Sequence, residues 1–279
     1  MGVVCHDDPY LLSVIVLIAS ISLLVNLNRT SAFNPIKLFN VSSIDVDRVS
    51  ANWASTGATW YGSPNGAGSS GGACGYGGDV GQPPFSSFIS AGGPSLYRSH
   101  KGCGVCYEVK CTSNVNRACS GNPVNVVITD ECPGCNNQAV HFDLSGTAFG
   151  AMAISGQADQ LRNVGVLQIQ YNRVQCRFGE KSITFKVDLG SNDHYFSSLI
   201  EFINGAGELE GVELKQSQGS WVPMQRSWGA VWKLNSSSTL KPPFSIRLTS
   251  MGQTIVANNV IPVGWIPGQT YRSTVNFAT

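Results

Sequence analysis

The sequence predicts an all-β protein of two domains, a small barrel followed by a β-sandwich. Three observations carry that expectation. Charged residues are only 13% of the chain, well under the roughly 25% of ordinary soluble domains. There are 31 glycines, and sparse charge with abundant turn formers is the composition of a strand-rich chain. Eight of the nine cysteines fall between Cys74 and Cys176, so one half is open to cross-linking and the other must hold by core packing. A length of 279 residues suits two domains of about 100–120 residues each. A hydrophobic content of 42% is enough to bury ordinary cores and argues against wholesale disorder. The net charge of +1 offers no electrostatic reason to expect a nucleic-acid partner.

The chain opens on the apolar run Leu11 to Leu27, followed by Ser31 and Ala32 as candidate cleavage-site residues. Residues 1–32 therefore read as a signal peptide. The region before the run is atypical, with Asp7 and Asp8 and no Lys or Arg; the rival is an uncleaved membrane anchor, since about 20 apolar residues span a bilayer. Residues 33–58 show no periodicity and read as an N-terminal extension. Asn40-Val41-Ser42 in that extension is a glycosylation sequon, and Asn235 begins a second.

From Thr59 the character changes. Gly62 to Gly81 is glycine-dense but interrupted by Cys74 and Tyr76, which favours an anchored loop over a binding face rather than a linker. It lacks the GK[ST] ending of a phosphate loop. Val124 to Thr129 is β-branched and reads as a strand with Asp130 at its end. His141 to Leu144 is a second short strand, and Ser145 is placed to cap a brief helix through Ala148, Phe149, Met152 and Ile154. Val166 to Tyr171 alternates as a further strand. These elements make residues 59–178 the barrel. Beyond a short hinge, Ile183, Phe185 and Val187, and later Phe244, Ile246 and Leu248, alternate with polar residues. That pattern makes residues 181–279 the sandwich.

The cysteines Cys74, Cys103, Cys106, Cys111, Cys119, Cys132, Cys135 and Cys176 form an even set behind a secretory leader, which reads as a disulfide framework. Eight cysteines allow 105 connectivities, and spacing alone does not choose among them. Cys103-x-x-Cys106 and Cys132-x-x-Cys135 also have the form of zinc-ligand pairs, but the leader and the four further cysteines favour disulfides.

Two carboxylates, Asp130 and Asp143, end or lie within strands flanked by apolar residues, where they can face a groove. Glycoside hydrolysis needs two carboxylates; the plainer reading is that each caps a turn. Thr59-Trp-Tyr-Gly62, Gly71-Gly-Ala-Cys-Gly-Tyr76, Cys103-Gly-Val-Cys106 and His141-Phe-Asp-Leu-Ser145 occur in order. Lys181 to Phe185, Ser227 to Trp232 and Pro243 to Thr249 continue the set. Together they resemble the expansins over residues 59–279, and the run from His141 to Ala153 is similar to the β-expansins rather than the α-expansins.

The resemblance implies a double-psi β-barrel related to family 45 glycoside hydrolases, then an immunoglobulin-like β-sandwich that binds carbohydrate. It implies disulfides Cys74–Cys103, Cys106–Cys176 and Cys111–Cys119, which leaves Cys132 with Cys135. Asp143 matches the general acid of the related hydrolases, whereas their base falls at Ser63, which cannot serve as a carboxylate. An aspartate that some expansins carry before the first cysteine is Ser69 here.

The implied groove contains Thr59, Tyr61, Asp130, His141 and Asp143. The implied stacking aromatics are Trp60 and Tyr61 on the barrel and Tyr195 and Trp228 on the sandwich, since flat rings suit the apolar faces of sugars. Trp221, Trp232 and Trp265 are read as core. The expected function is non-hydrolytic loosening of plant cell walls, with a weak endo-acting glycoside hydrolase as the alternative. The expected partners are cellulose, xylan and matrix glucans, with no cofactor and no metal. The expected form is a monomer, secreted to the cell wall with no membrane span after leader cleavage; peripheral membrane association is the alternative.

Overall fold

The computed structural model describes residues 53–135 and 140–279. The leader, most of the N-terminal extension and Asn40 lie outside the described residues. Among those described, no helix is long and apolar enough to cross a membrane.

The first domain is a closed six-stranded barrel. Its strands are β1 (Ala54–Tyr61), β2 (Ile89–Gly92), β3 (Cys106–Lys110), β4 (Val124–Glu131), β5 (His141–Ser145) and β6 (Leu167–Val174), in the order β1-β5-β2-β4-β3-β6. Strand β1 starts five residues before the expected boundary at 59. Its first turn of chain, Ala54-Ser55-Thr56, is too small and polar to announce a strand, yet it pairs with β6 through Ala54↔Tyr171 and Thr56↔Ile169. The barrel is filled by Ala58, Val109, Val126, Ile128, Phe142, Leu144, Phe149 and Leu167. Three short helices close it: α1 (Pro94–Tyr97), α2 (Gly146–Ala151) and α3 (Ala158–Arg162). Ser145 caps α2 as expected, its Oγ accepting from the Ala148 N–H at 3.0 Å. The helix stops at Ala151, short of the expected Ile154.

The second domain packs two sheets face to face. One has the order β10-β9-β13-β14 and the other β11-β12-β8-β7-β15. Their strands are β7 (Thr184–Val187), β8 (Tyr195–Glu201), β9 (Gly211–Lys215), β10 (Val222–Pro223), β11 (Gln225–Trp228), β12 (Val231–Asn235), β13 (Phe244–Ser250), β14 (Gln253–Ile261) and β15 (Thr270–Arg272). Ile183, Phe185, Val187, Phe244, Ile246 and Leu248 all enter the core between the sheets, as their alternation predicts. Trp232 is buried there, and Trp265 packs against Phe196. Trp221 departs from expectation: half-buried, it lies under the Arg247 guanidinium, 4.6 Å from it, on the outside of the smaller sheet. A flat ring beside a cation replaces core packing here.

Both domains fall in one compact unit. A third apolar cluster straddles them, joining Tyr76, Val80, Phe85, Tyr97 and Val127 of the barrel to Leu199, Ala230 and Val231 of the sandwich. Cys176 and Gly205 exchange two backbone hydrogen bonds across this seam, at 2.7 and 3.0 Å. Glu208 receives Arg173 at 2.8 Å and also pairs with Arg98. At Gly207, with φ +76°, an added Cβ would fall 2.4 Å from the Gly104 carbonyl oxygen, so the backbones meet directly.

Among the described residues, four disulfides form: Cys74–Cys103, Cys106–Cys176, Cys111–Cys119 and Cys132–Cys135. They consume all the thiolates that the zinc reading would need.

Candidate functional site

The barrel site is built on the parallel pair β1 and β5. Their register sets Gly57 beside His141 and Thr59 beside Asp143. Because side chains alternate along a strand, Thr59 and Tyr61 share one side of β1. Ala58 points into the core and Trp60 packs against it. The Thr59 hydroxyl donates to Asp143 Oδ1 at 2.6 Å and lies 3.0 Å from His141 Nε2. One hydroxyl thus ties the carboxylate and the imidazole into a three-residue network.

Burial disfavours charge on both partners. It raises the Asp143 pKa above the ordinary carboxylate value, with the Thr59 hydrogen bond and His141 opposing the rise. It lowers that of His141, against the pull of Asp143. Tyr61 stands beside this network with its hydroxyl buried and unpartnered. Its pKa is pushed up by burial and then by the charges of Asp130 and Asp143; the nearby Ser69 backbone acts the other way without completing a hydrogen bond of good geometry. The glycine-rich loop explains the burial. Gly68 approaches so closely that an added Cβ would fall 2.4 Å from the Tyr61 ring. The loop is therefore a packed cover.

Asp130 sits two strands from Asp143. Ala91 on β2 is in register with both, Asp143 on one side and Asp130 on the other, which puts their backbones about 10 Å apart. The carboxylate of Asp130 is already engaged. Its Oδ1 accepts from the Ala73 N–H at 2.7 Å and the Glu131 N–H at 2.8 Å, and Gly72 packs on the same side chain. Asp130 thereby clamps the loop that leads to Cys74. Ser63 is exposed and turns the chain after β1, its carbonyl accepting from Gly66 N–H at 3.0 Å.

The expected aromatic row is divided. Trp60 is turned to the opposite side of β1 from Thr59 and Tyr61, and its indole N–H donates to the Arg162 carbonyl at 2.9 Å. Trp228 is 47% exposed and stands at the seam, where an added Cβ on Gly75 would lie 2.9 Å from its ring. The segment Gly72 to Gly75 thus reaches from Asp130 to Trp228, joining groove and sandwich in a few residues. Tyr195 is half-buried on the same face of the larger sheet as Trp228, toward the far end, opposite Asn235.

Two features escaped the sequence. Arg226 bonds the Gly229 and Leu209 carbonyls at 2.8 and 2.6 Å and lies 4.4 Å over Trp232, bracing the turn that carries Trp228. Glu201 is buried at the seam with Oε1 unpartnered. No local motif marks either residue. Among the described residues, no group of His, Cys, Asp and Glu is arranged to hold a metal.

A double-psi barrel joined to a β-sandwich is the architecture of expansins, and solved structures bear this out. An apo expansin of Clavibacter michiganensis matches with a TM-score of 0.63 at 21% identity, covering 81% of this chain and 98% of that one. A variant of the Clavibacter expansin in complex with cellohexaose matches with a TM-score of 0.61 at 22% identity and the same coverages. Residues 183–262 match the expansin C-terminal domain, and residues 89–171 match a barrel family described as lytic transglycolase. Expansin-B2 of Arabidopsis thaliana is 57% identical over 97% of this chain and 98% of its own length. Expansin-B11 of Oryza sativa subsp. japonica is 58% identical over 82% and 80%. The chain belongs to the expansins, in their β branch, and so to a family with a cell-wall role.

Proposed function

We propose that this protein loosens plant cell walls by binding, without cutting glycosidic bonds. The observation that carries the reading is an acid whose one candidate base, Asp130, serves to clamp the backbone. Asp143 is held toward its neutral form, as a proton donor would be. Ser63 stands where a hydrolase base is expected, and Oδ1 of Asp130 accepts from two backbone N–H groups that fix its carboxylate to the loop. An inverting hydrolase needs a second carboxylate roughly 6.5–9.5 Å away that can activate water. A carboxylate committed to two amides is a poor one.

The same atoms suit a grip on a glycan. Asp143 and Thr59 offer a convergent acceptor and donor for sugar hydroxyls, with His141 holding Thr59 from behind and Tyr61 packed beneath the glycine loop. Trp228 offers an exposed face for a pyranose ring. Tyr195 stands farther along the same face, and Trp60 supports the groove from behind. Competition for hydrogen bonds and stacking would let neighbouring polymers slip, and no cofactor enters that process. The cellohexaose complex of the Clavibacter expansin supports a linear β-glucan as one ligand class; cellulose and the matrix glucans are wall polymers of that kind, and xylan, a linear β-linked polymer of xylose, presents similar flat ring faces. The protein acts as a secreted monomer in the wall.

The test is extension of heat-inactivated grass walls under load, with reducing ends assayed in the same sample. Extension without sugar release is expected. Steady sugar release in proportion to protein, abolished by Asp130→Asn, would favour the weak endo-hydrolase instead.

A further inference from the structure

The far end of the larger sheet carries a feature that neither the groove nor the seam uses. Asn235 is the last residue of β12 and begins the sequon Asn235-Ser236-Ser237. It is exposed, as is Ser237, and its side-chain amide makes no hydrogen bond among the described residues. The backbone around it is fixed, with the Ser236 N–H donating to the His194 carbonyl at 2.9 Å. Asn235 is directly paired with Tyr195 across the antiparallel β8–β12 ladder. Cross-strand partners share a face with Cβ atoms about 5 Å apart. Lys233, two residues earlier, faces the same way opposite Ser197. The face therefore runs from Trp228 at the seam to Asn235 and Tyr195 at its open end.

We infer that Asn235 carries an N-linked glycan whose first sugars lie over Tyr195. The inference rests on the secreted reading above, because the donor is a lipid-diphosphate-linked oligosaccharide of the secretory route. In the transfer, Asn235 Nδ2 bonds to C1 of the first sugar and the C1–O bond to the lipid diphosphate breaks. The lipid diphosphate leaves with the electron pair of that bond, and the proton lost from the amide nitrogen balances the negative charge it gains. An acetamido sugar held at Asn235 is within reach of the Tyr195 ring, and stacking on it is favourable at almost no entropic cost because both are tethered. The glycan then occupies the aromatic that a wall polymer would otherwise use. The open platform is shortened to its seam end, around Trp228 and Lys233.

The experiment uses the chain secreted from plant cells. Peptide mapping after peptide N-glycosidase A in heavy-oxygen water marks each formerly glycosylated asparagine as a labelled aspartate and separates Asn235 from Asn40. Binding to insoluble xylan and cellulose is then compared for the glycosylated protein, the enzymatically deglycosylated protein and Ser237→Ala, each with and without Tyr195→Ala. Label at Asn235 is expected, with binding tightened about three- to tenfold on deglycosylation or in Ser237→Ala, the range one aromatic stacking contact commands. That gain should vanish in Tyr195→Ala. A secreted chain with Asn235 unmodified overturns the inference, as does a gain that survives Tyr195→Ala or no gain at all. Wall extension measured on the same samples reports separately on the non-hydrolytic reading.

Discussion

Replacing Glu201 by glutamine tests the electrostatics of the seam between the domains. Glu201 lies on β8 under the barrel, only 3% exposed. Oε2 accepts from the Thr184 hydroxyl at 3.3 Å, while Oε1 has no partner. Asp79 faces it from the barrel, with Tyr76 close by; Lys186 and Arg272 face it from the sandwich. Lys186 is itself drawn to Asp79, at 3.5 Å, and the pull of the two cations on Glu201 is smaller than the effect of burial. Burial, reinforced by Asp79, raises the Glu201 pKa from 4.5 to about 7. The folded state thus holds this proton more tightly than the unfolded chain. The stabilisation is complete below pH 4.5 and is lost as pH rises through about 7. Ionising the buried group costs about 3 kcal/mol. Glu201→Gln keeps the shape and removes the charge. The variant should match the parent near pH 4 and exceed it at pH 8 by up to about 3 kcal/mol, or about 6–12 °C in Tm. Thermal unfolding followed by circular dichroism at both pH values reads this directly. A variant less stable than the parent at pH 8 would show that the ionised carboxylate is paired, and the reasoning would fail.

Trp228→Ala should weaken binding to insoluble wall polysaccharide about tenfold while changing stability by only about 1 kcal/mol, because the ring is half exposed. Trp232→Ala, four residues on, is the matched control. It removes a ring buried in the sandwich core and should cost about 3–5 kcal/mol; pull-down assays and urea melts distinguish the two. Asp143→Asn mimics the protonated carboxylate that burial favours. Wild-type polymer binding should fall as pH rises through the raised Asp143 pKa, and the variant should bind at both ends of that range; loss of binding at every pH would mean that the charged form is the working one. Replacing each cystine by serines and measuring unfolding should rank them by loop length. Cys106–Cys176, with a sequence separation of 70, should contribute about 4 kcal/mol, Cys111–Cys119 with a separation of 8 about 2.5, and Cys132–Cys135 with a separation of 3 about 1.6. Any other order would point to native-state contacts rather than chain entropy.

Much of the fold was legible because its strands alternate cleanly. Ile183-Thr-Phe-Lys-Val187 and Phe244-Ser-Ile-Arg-Leu248 announce an inner face with no help from the rest of the chain. The start of β1 was not legible. Ala54 to Thr56 becomes a strand only because β6 supplies a partner, and pairing is not a local property. Thr184 illustrates the same point. Its alternation marks it as outward-facing, which it is, yet it is buried because the barrel covers that part of the sheet. At the site, motif resemblance brought Thr59, His141 and Asp143 into view, and the β1–β5 register explains why they meet. The sequence motif does not divide Trp60 from Tyr61, since adjacent letters on a strand point in opposite directions. Asp130 read equally well as catalyst or cap, and only the positions of Ala73 and Glu131 reveal the clamp.

The direct backbone contact at Gly104 and Gly207, with the paired bonds of Cys176 and Gly205, removes the hinge between the two domains. On the proposed binding mode, a polymer segment resting on the groove would meet Trp228 at a set distance and angle, and no conformational freedom would be lost in bringing the second contact to bear. The local concentration of the second contact is high for a chain that runs straight across the seam and near zero for one that bends away. A body that binds in this way would discriminate by curvature. Stretches of wall polymer pulled taut and free of side branches would satisfy both contacts together, while slack or decorated stretches would satisfy one at a time, so the protein would collect where the wall bears load.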